Sequence, residues 1–204
     1  MLTFEYGDIE INHLKSRDKL LGKVIDEMGS LKYRVRPDIF EAIVHNIIGQ
    51  QISDKSAATV WGKLQTMVEE VTAENIFKTS VEDIQKCGMS MRKAGYIKGV
   101  SSAVVSKEID IDNLGSLSDE EVIKVLTSLN GVGIWTVEMI LLFSMQRPNV
   151  LSYGDLVIRK AIMNLHNLEN LSKKDFEEYK ELYSPYCSVA SLYLWSMQTS
   201  LRKN

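Results

Sequence analysis

The sequence predicts an all-α protein, and three observations support this fold class. Apolar residues recur at helical spacing along most of the chain, and one such set consists of Leu20, Leu21, Val24, Ile25 and Met28. Ser-x-x-acid patterns, which are typical of helix N-termini, occur at Ser80 with Asp83, Ser118 with Glu121, and Ser172 with Asp175. No segment combines enrichment in β-branched residues with strict alternation over the length of a strand. We therefore expect helices that pack ridge into groove.

The N-terminal part of the chain begins with residues 2–11, which alternate loosely in polarity and are expected to be extended. A helix is predicted from about Ser16, and Gly29 ends it. Pro37 is placed in the first turn of the next helix, because its fixed φ suits that position.

The rest of the chain continues the helical pattern. Ser53 is expected to cap a helix that runs to about Val68. A longer helix is predicted over Met91–Lys107, and a final one follows Pro185 and reaches about Leu201. The whole pattern predicts about nine to eleven helices, without internal repeats.

The composition limits the class of protein. The 204 residues are 45% hydrophobic and 25% charged, which suits one large domain or two small lobes. The formal net charge of −3 gives no general support for nucleic-acid binding, so any basic face must be local. No apolar run has the length of a signal peptide core or a membrane span. We expect a cytoplasmic protein, associated with the nucleoid in a bacterium or located in the nucleus of a eukaryote.

The two cysteines, Cys87 and Cys187, lie far apart in the sequence and have no metal-ligand spacing. They exclude a four-cysteine iron–sulfur cluster and give no support for a zinc site. Both are expected to be buried free thiols in a reducing compartment.

The stretch Leu126–Lys160 contains a glycine hairpin. Gly131 and Gly133 flank Val132 and permit a sharp reversal that side chains would obstruct, and an apolar helix follows from Ile134. The amides from Val132 onward are expected to lie at that helix N-terminus and to point in one direction. Such a cluster attracts an anion, for which a DNA phosphate is a common candidate.

An acidic residue, Asp155, follows the hairpin by about twenty residues and opens a further helix. The local sequence Gly-Asp-Leu-Val-Ile is also that of an ordinary helix N-cap, so Asp155 in isolation does not indicate a functional site. The combination with a hairpin that is expected to bind a DNA phosphate makes it the candidate chemical centre.

Three segments together resemble the helix-hairpin-helix DNA glycosylases. They read FEAIVHNIIGQQISDKSAATVWGKL at 40–64, LNGVGIWTVEMILLF followed by SYGDLVIRK at 129–160, and SPYCSVASLYLW at 184–195. The similarity is to the alkylated-purine branch, which comprises bacterial 3-methyladenine DNA glycosylase II and its yeast-type relatives. It covers most of 37–195 in the order of the family.

The resemblance implies a single domain made of two helical lobes around a cleft. One lobe would span about 37–149, and the other would combine about 1–36 with 150–204. The chain is too short for the additional N-terminal β-domain of the bacterial enzyme, and so resembles the smaller yeast-type members.

The resemblance makes Asp155 the catalytic residue. Cleavage of an N-glycosidic bond builds positive charge on the sugar, which a fixed carboxylate in a water-poor cleft stabilises. The same carboxylate can orient or deprotonate the attacking water. In the branch that resembles endonuclease III a lysine attacks the sugar, and Trp135 stands in its place here. The implied enzyme is therefore monofunctional, with water as the nucleophile.

The resemblance also implies a pocket for the damaged base. Alkylation leaves a purine cationic, and a cation over an indole face gains roughly 0.5–2 kcal/mol. The matching positions are Trp135, Trp195, Met139 and Leu156. Trp195 lies on an apolar helix and is explained equally well as a core residue. Met139 and Leu156 stand where the bacterial enzyme has tyrosines, so this pocket is less aromatic.

Contacts to DNA are implied for the loop after residue 48 and for the hairpin. The loop supplies the side chain that fills the space left by a flipped base, which is Gln51, or Ser53 under the yeast-type alignment. A simple polar turn is the alternative interpretation of this loop. The hairpin would hold a phosphate through Gly131 and Gly133, next to Val132. Further candidate contacts are Gln50, Lys55, Lys63, Arg147, Arg159 and Lys160.

In relatives, backbone carbonyls of the hairpin bind a monovalent cation that bridges to the phosphate. The matching residues here are Thr127, Leu129 and Val132. No nucleotide or redox cofactor is implied.

These observations predict a DNA-repair N-glycosylase that flips an alkylated purine out of double-stranded DNA and hydrolyses its bond to the sugar. The expected substrates are 3-methyladenine and then 7-methylguanine, and the product is an abasic site without strand cleavage. The protein is expected to act as a monomer that does not associate with a membrane. The alternatives are another lesion, such as hypoxanthine or ethenoadenine, a non-catalytic module that binds damaged DNA, and a generic helical interaction domain.

Overall fold

A computed structural model describes residues 2–201, apart from the side chain of Leu201, and the regular elements within them are helices joined by turns and irregular connections. The α-helices are α1 (Asp8–Arg17), α2 (Lys19–Met28), α3 (Ile39–Gly49), α4 (Asp54–Val68), α5 (Ala73–Lys78), α6 (Val81–Lys86), α7 (Met91–Val105), α8 (Asp119–Thr127), α9 (Ile134–Phe143), α10 (Leu156–His166), α11 (Lys173–Tyr183) and α12 (Cys187–Leu201). A short 3-10 helix covers Leu114–Ser116. Extended pairing among the described residues is limited to one bridge between Thr3 and Arg34. The all-α prediction is confirmed.

The prediction for the N-terminal region is wrong in two respects. Helix α1 begins at Asp8 within the segment expected to be extended, because the Gly7 N–H donates to the Glu10 carboxylate at 2.8 Å and starts a turn there. Asp18 then separates α1 from α2, where one continuous helix was expected. Breaks of this kind leave the apolar period unchanged, so the predicted number of helices was too low.

Most predicted helix starts are confirmed by their caps. The Ser53 side chain accepts a hydrogen bond from the amide of Ser56, and Ser118 and Ser172 both form complete capping boxes. Pro37 differs from the prediction, because it precedes the N-cap Asp38 and lies outside the first turn.

The described chain forms two compact units. One is Arg36–Ile140, with a core that includes Ile43, Ile47, Leu64, Ile76, Ile84 and Ile97. The other joins the residues up to Val35 with those from Leu141 onward, and its core includes Leu14, Leu21, Phe176, Tyr183 and Tyr193. The second division falls within α9, whereas the predicted lobes divided the chain after residue 149.

Neither cysteine is in a disulfide, and both are buried. The Cys187 thiol donates to the Lys180 carbonyl at 3.3 Å, and burial raises its pKa to about 12. The prediction of buried free thiols is confirmed. None of the helices in the described part of the chain has the length and apolarity to cross a membrane.

Candidate nucleic-acid interface and active-site residues

The hairpin joins α8 to α9, and Gly131 is its turning point. Gly131 has a φ of +86°, a backbone conformation that side chains disfavour. A Cβ atom placed on Gly131 would lie 2.3 Å from Cδ2 of Tyr96, whereas one on Gly133 would meet no atom within 4 Å. Only the first of the two glycines is therefore required by the fold of the protein itself.

The amides at the start of α9 differ in part from the prediction. The Val132 N–H donates to the Leu129 carbonyl at 3.2 Å and closes the turn, so it does not face outward. The bond from the Val137 N–H to the Gly133 carbonyl, at 3.1 Å, belongs to the first turn of α9. Helix geometry leaves first-turn amides without an acceptor in their own helix, and Gly133 and Ile134 are exposed at this end. This end of α9 can receive an anion.

The loop between α3 and α4 contains the candidate wedge residues. The Ser53 Oγ accepts from the Ser56 N–H at 3.2 Å and lies 2.9 Å from the Ser56 Oγ, so its hydroxyl is used to cap α4. Gln51 is exposed and has a left-handed backbone with a φ of +59°. Between the two alternatives the local structure favours Gln51 over Ser53.

Ile52 was given no role from the sequence. Its side chain is 40% exposed in an otherwise polar loop, next to Gln51. The sequence pattern that could have drawn attention to Ile52 is a single apolar residue between the polar residue Gln51 and the helix cap Ser53.

Gln50 was predicted to contact DNA, but its side chain is directed to the hairpin. Its Nε2 donates to the Gly131 carbonyl at 2.9 Å, within the unit Arg36–Ile140. Lys93, which the sequence analysis did not single out, donates to the carbonyls of Ile48 at 2.8 Å and of Gln50 at 2.5 Å. One direct hydrogen bond therefore joins the loop to the hairpin, and Lys93 joins the loop to α7.

Asp155 is the N-cap of α10. Its Oδ1 accepts from the amide of Val157 at 2.8 Å and from that of Ile158 at 3.1 Å. The residue is only 7% exposed, so the carboxylate does not face bulk solvent. The two amides and the helix N-terminus fix a negative group in one orientation.

Arg159 lies one turn after Asp155 on α10. The guanidinium carbon of Arg159 lies 5.0 Å from the centre of the Tyr153 ring, which is a cation–π arrangement. The Arg159 side chain is half-buried. Arg147 is also half-buried. The remaining candidate phosphate contacts, Lys55, Lys63 and Lys160, are exposed.

The candidate pocket residues have different environments. Trp135 and Leu156 are 40% and 51% exposed, whereas Met139 is buried at 7%. Trp195 is half-buried and stacks on Phe143 with ring centres 5.6 Å apart and an interplanar angle of 23°. Trp135 and Met139 belong to the unit Arg36–Ile140, and the other two belong to the unit that contains Asp155.

The candidate cation ligands are backbone carbonyls beside the hairpin. Thr127 ends α8, and the Leu129 carbonyl already accepts the Val132 amide but retains a second lone pair. Neutral carbonyls at a helix C-terminus suit a cation, because the helix dipole is negative at that end. The described residues contain no cluster of three His, Cys, Asp or Glu side chains able to hold a metal ion.

Comparison with known proteins places these elements in a family. Residues 44–185 match the model of the HhH-GPD superfamily of base excision DNA repair proteins. DNA-3-methyladenine glycosylase 1 of Schizosaccharomyces pombe is 29% identical over 194 residues, covering 93% of this chain and 85% of that protein.

Solved structures agree with this match. The crystal structure of a DNA-3-methyladenine glycosidase from Bacillus halodurans has a TM-score of 0.88 and 30% identity, over 100% of this chain and 95% of that one. The Schizosaccharomyces pombe 3-methyladenine DNA glycosylase in complex with abasic DNA has a TM-score of 0.82 and 28% identity, over 94% of this chain and 97% of that one. The resemblance inferred from the sequence is confirmed. The chain belongs to the HhH-GPD superfamily of base excision DNA repair proteins.

Proposed function

We propose that the protein is a monofunctional DNA glycosylase that releases alkylated purines from double-stranded DNA. Its substrates would be 3-methyladenine and then 7-methylguanine, and its product an abasic site. Membership in a superfamily of base excision repair proteins and the names of its relatives support this class of reaction. The observation that carries the proposal is Asp155, a buried carboxylate held at a helix N-terminus in the position of the family motif.

Asp155 acts on the charge that develops during bond cleavage. As the base departs, the sugar becomes cationic, and a carboxylate already oriented by two amides needs no reorganisation to stabilise that charge. The same group orients the attacking water or removes its proton. The leaving purine, already cationic through alkylation, takes the bonding electron pair and departs as a neutral base.

The hairpin binds a phosphate of the DNA strand through the exposed amide end of α9. The carbonyls of Thr127, Leu129 and Val132 would hold a monovalent cation, which would add positive charge beside the phosphate. The contribution of the chain itself is the orientation of these carbonyls by the turn at Gly131. Lys55, Lys63 and Lys160 are exposed and supply further phosphate contacts.

Trp135 and Trp195 are the aromatic residues proposed to recognise the damaged base, and Leu156 and Met139 are the apolar residues proposed to act with them. A cationic purine over an indole face is bound more strongly than a neutral one. Trp135 also occupies the position of the lyase lysine, so the proposed enzyme has no covalent step. We further propose that it acts as a monomer.

One experiment tests the reaction class. The protein is incubated with DNA methylated at random, the released bases are identified by chromatography, and strand integrity is measured with and without alkali. Release of 3-methyladenine together with alkali-labile sites supports the proposal. Strand breaks without alkali would indicate a lyase and overturn the role given to Trp135.

The polar loop and the two missing tyrosines favour a second candidate, a module that binds damaged DNA without cleaving it. It predicts tight binding to a duplex that carries an abasic analogue, with no release of base. The same chromatographic assay separates the two candidates.

A further inference from the structure

The loop Gly49–Ser53 is held at its start by one lysine from another helix. The ammonium group of Lys93, in the first turn of α7, donates to the carbonyls of Ile48 and Gln50 at 2.8 and 2.5 Å. These carbonyls lie at the C-terminal end of α3, where the helix leaves its last acceptors unsatisfied. Burial and the nearby charge of Arg92 lower the pKa of Lys93. The ammonium is thus partly removed from water and committed to the backbone.

The side chain of Gln50 joins the loop to the hairpin. Gln50 Nε2 donates to the Gly131 carbonyl at 2.9 Å across 81 positions of sequence. Gly131 is itself held in place, because the Tyr96 ring fills the space that a Cβ would need. Lys93 and Tyr96 are three residues apart on α7, so one helix contacts both elements.

We infer that Lys93 and Gln50 are positioning residues that hold the base-flipping loop against the phosphate-binding hairpin. This inference rests on the proposed function of the two elements. Gln50 then acts inside the protein, through the Gly131 carbonyl, instead of contacting DNA as its neighbour Gln51 does. A loop fixed before DNA arrives does not lose conformational freedom on binding, so its side chain reaches the vacated base position more often.

The first test uses the free protein and requires no substrate. Hydrogen exchange is measured at the amides of residues 50–53 in the wild type and in the Gln50→Leu and Lys93→Met variants. We expect both variants to exchange faster in the loop, while the core amides of α4 stay protected. Unchanged loop exchange in both variants would overturn the inference.

Lys98 offers a matched control for Lys93. It is also a half-buried lysine of α7, and its ammonium donates to the Ile76, Phe77 and Thr79 carbonyls at and beyond the end of α5. Lys98→Met removes the same kind of interaction without touching the loop. We expect Lys93→Met and Lys98→Met to lower the melting temperature to a similar extent, but only Lys93→Met to increase loop exchange.

The second test measures excision under single-turnover conditions with enzyme in excess. We expect Gln50→Leu to slow release of 3-methyladenine about five- to tenfold, the range for loss of one hydrogen bond. Lys93→Met should slow it at least as much, because it loses two. Affinity for undamaged duplex should be unchanged. Because both residues act through the same loop, the double variant should lose about as much as the slower single variant. A loss equal to the product of the two, or an equal loss in Lys98→Met, would overturn the inference.

Gln50→Glu adds a readout that a loss of stability would not produce. The introduced carboxylate cannot donate to the Gly131 carbonyl, but its protonated form can. A glutamate ordinarily has a pKa of about 4.3, so the excision rate relative to wild type should begin to recover as the pH falls to about 5 and below, and the Gln50→Leu ratio should stay flat. A flat ratio for both variants would contradict the role of this hydrogen bond. If the wild type itself released no base, the proposed function would fail, and the exchange measurements would still decide the inference.

Discussion

The Tyr96 ring packs directly against the backbone of Gly131, so closely that a methyl group on Gly131 would lie 2.3 Å from Cδ2 of the ring. Helix α7 and the hairpin therefore meet at a position where only glycine fits. The positive φ of Gly131 adds a second reason for the same residue.

The two hairpin glycines should respond differently to alanine. Gly131→Ala should destabilise the protein by about 1–3 kcal/mol, because it adds backbone strain and displaces Tyr96. Gly133→Ala meets open space and should change the free energy of unfolding by less than about 0.5 kcal/mol. It should nevertheless weaken DNA binding, because the methyl group projects where a phosphate would approach. Thermal unfolding and fluorescence anisotropy with a labelled duplex measure the two effects. Wild-type DNA affinity in Gly133→Ala would show that the N-terminal amides of α9 are not part of the DNA interface.

Asp155 caps α10 and is the proposed catalytic residue, and two substitutions separate these roles. Asparagine caps a helix as well as aspartate, so Asp155→Asn should keep the stability and the DNA affinity. It should slow base release about a hundredfold or more, because the negative charge is lost. Asp155→Ala should show the same loss of activity and a further cost of about 0.5–2 kcal/mol in stability.

Asp38, the N-cap of α3, provides the control for that comparison. Asp38→Asn makes the same chemical change at an exposed cap and should excise at the wild-type rate. Base release by Asp155→Asn at that rate would remove Asp155 from the mechanism.

The two tryptophans should differ in their balance of stability and activity. Trp195→Ala breaks the stack on Phe143 and should cost about 1–3 kcal/mol in stability. Trp135→Ala, at a more exposed position, should cost less stability. Both should reduce release of cationic bases more than release of the neutral base hypoxanthine, because the cation–π attraction is lost. Equal losses for the two kinds of base would count against an aromatic pocket for cations.

Two substitutions in the loop between α3 and α4 should likewise separate base flipping from stability. Gln51→Ala should lower base flipping, followed with a fluorescent base analogue, and leave stability unchanged. Ser53→Ala should cost about 1 kcal/mol through loss of the α4 cap. A larger flipping defect in Ser53→Ala than in Gln51→Ala would reverse the assignment of the wedge.

Cys187 makes the stability of the protein depend on pH in the alkaline range. Burial raises its pKa to about 12 in the folded state, whereas an unfolded thiol titrates near about 8.5. The contribution is complete below the unfolded pKa and is lost as the pH rises toward 12, because the unfolded state releases the proton first. The denaturant concentration at the unfolding midpoint should therefore decrease as the pH is raised from about 8 to 11. Cys187→Ala should make that decrease smaller. An identical slope in the variant would contradict the assignment.

Much of the fold was predictable from the local sequence. Caps such as Ser53 and Ser118 act within one turn, so a four-residue pattern contains the interaction. The break at Asp18 was not predictable in this way. The apolar period continues through it, and the Asp18 side chain caps the next helix by accepting from the amides of Leu20 and Leu21.

In the candidate site, too, the features set by local sequence differ from those set by long-range contacts. The sequence by itself determined the family, the glycine hairpin and the acid at Asp155, because these depend on residue types at short spacing. Only the tertiary structure decided that Gln50 bonds to the Gly131 carbonyl, that Lys93 holds the loop, and that Tyr96 makes the first glycine obligatory. These contacts join residues far apart in the chain, and their energies depend on distances that only packing sets.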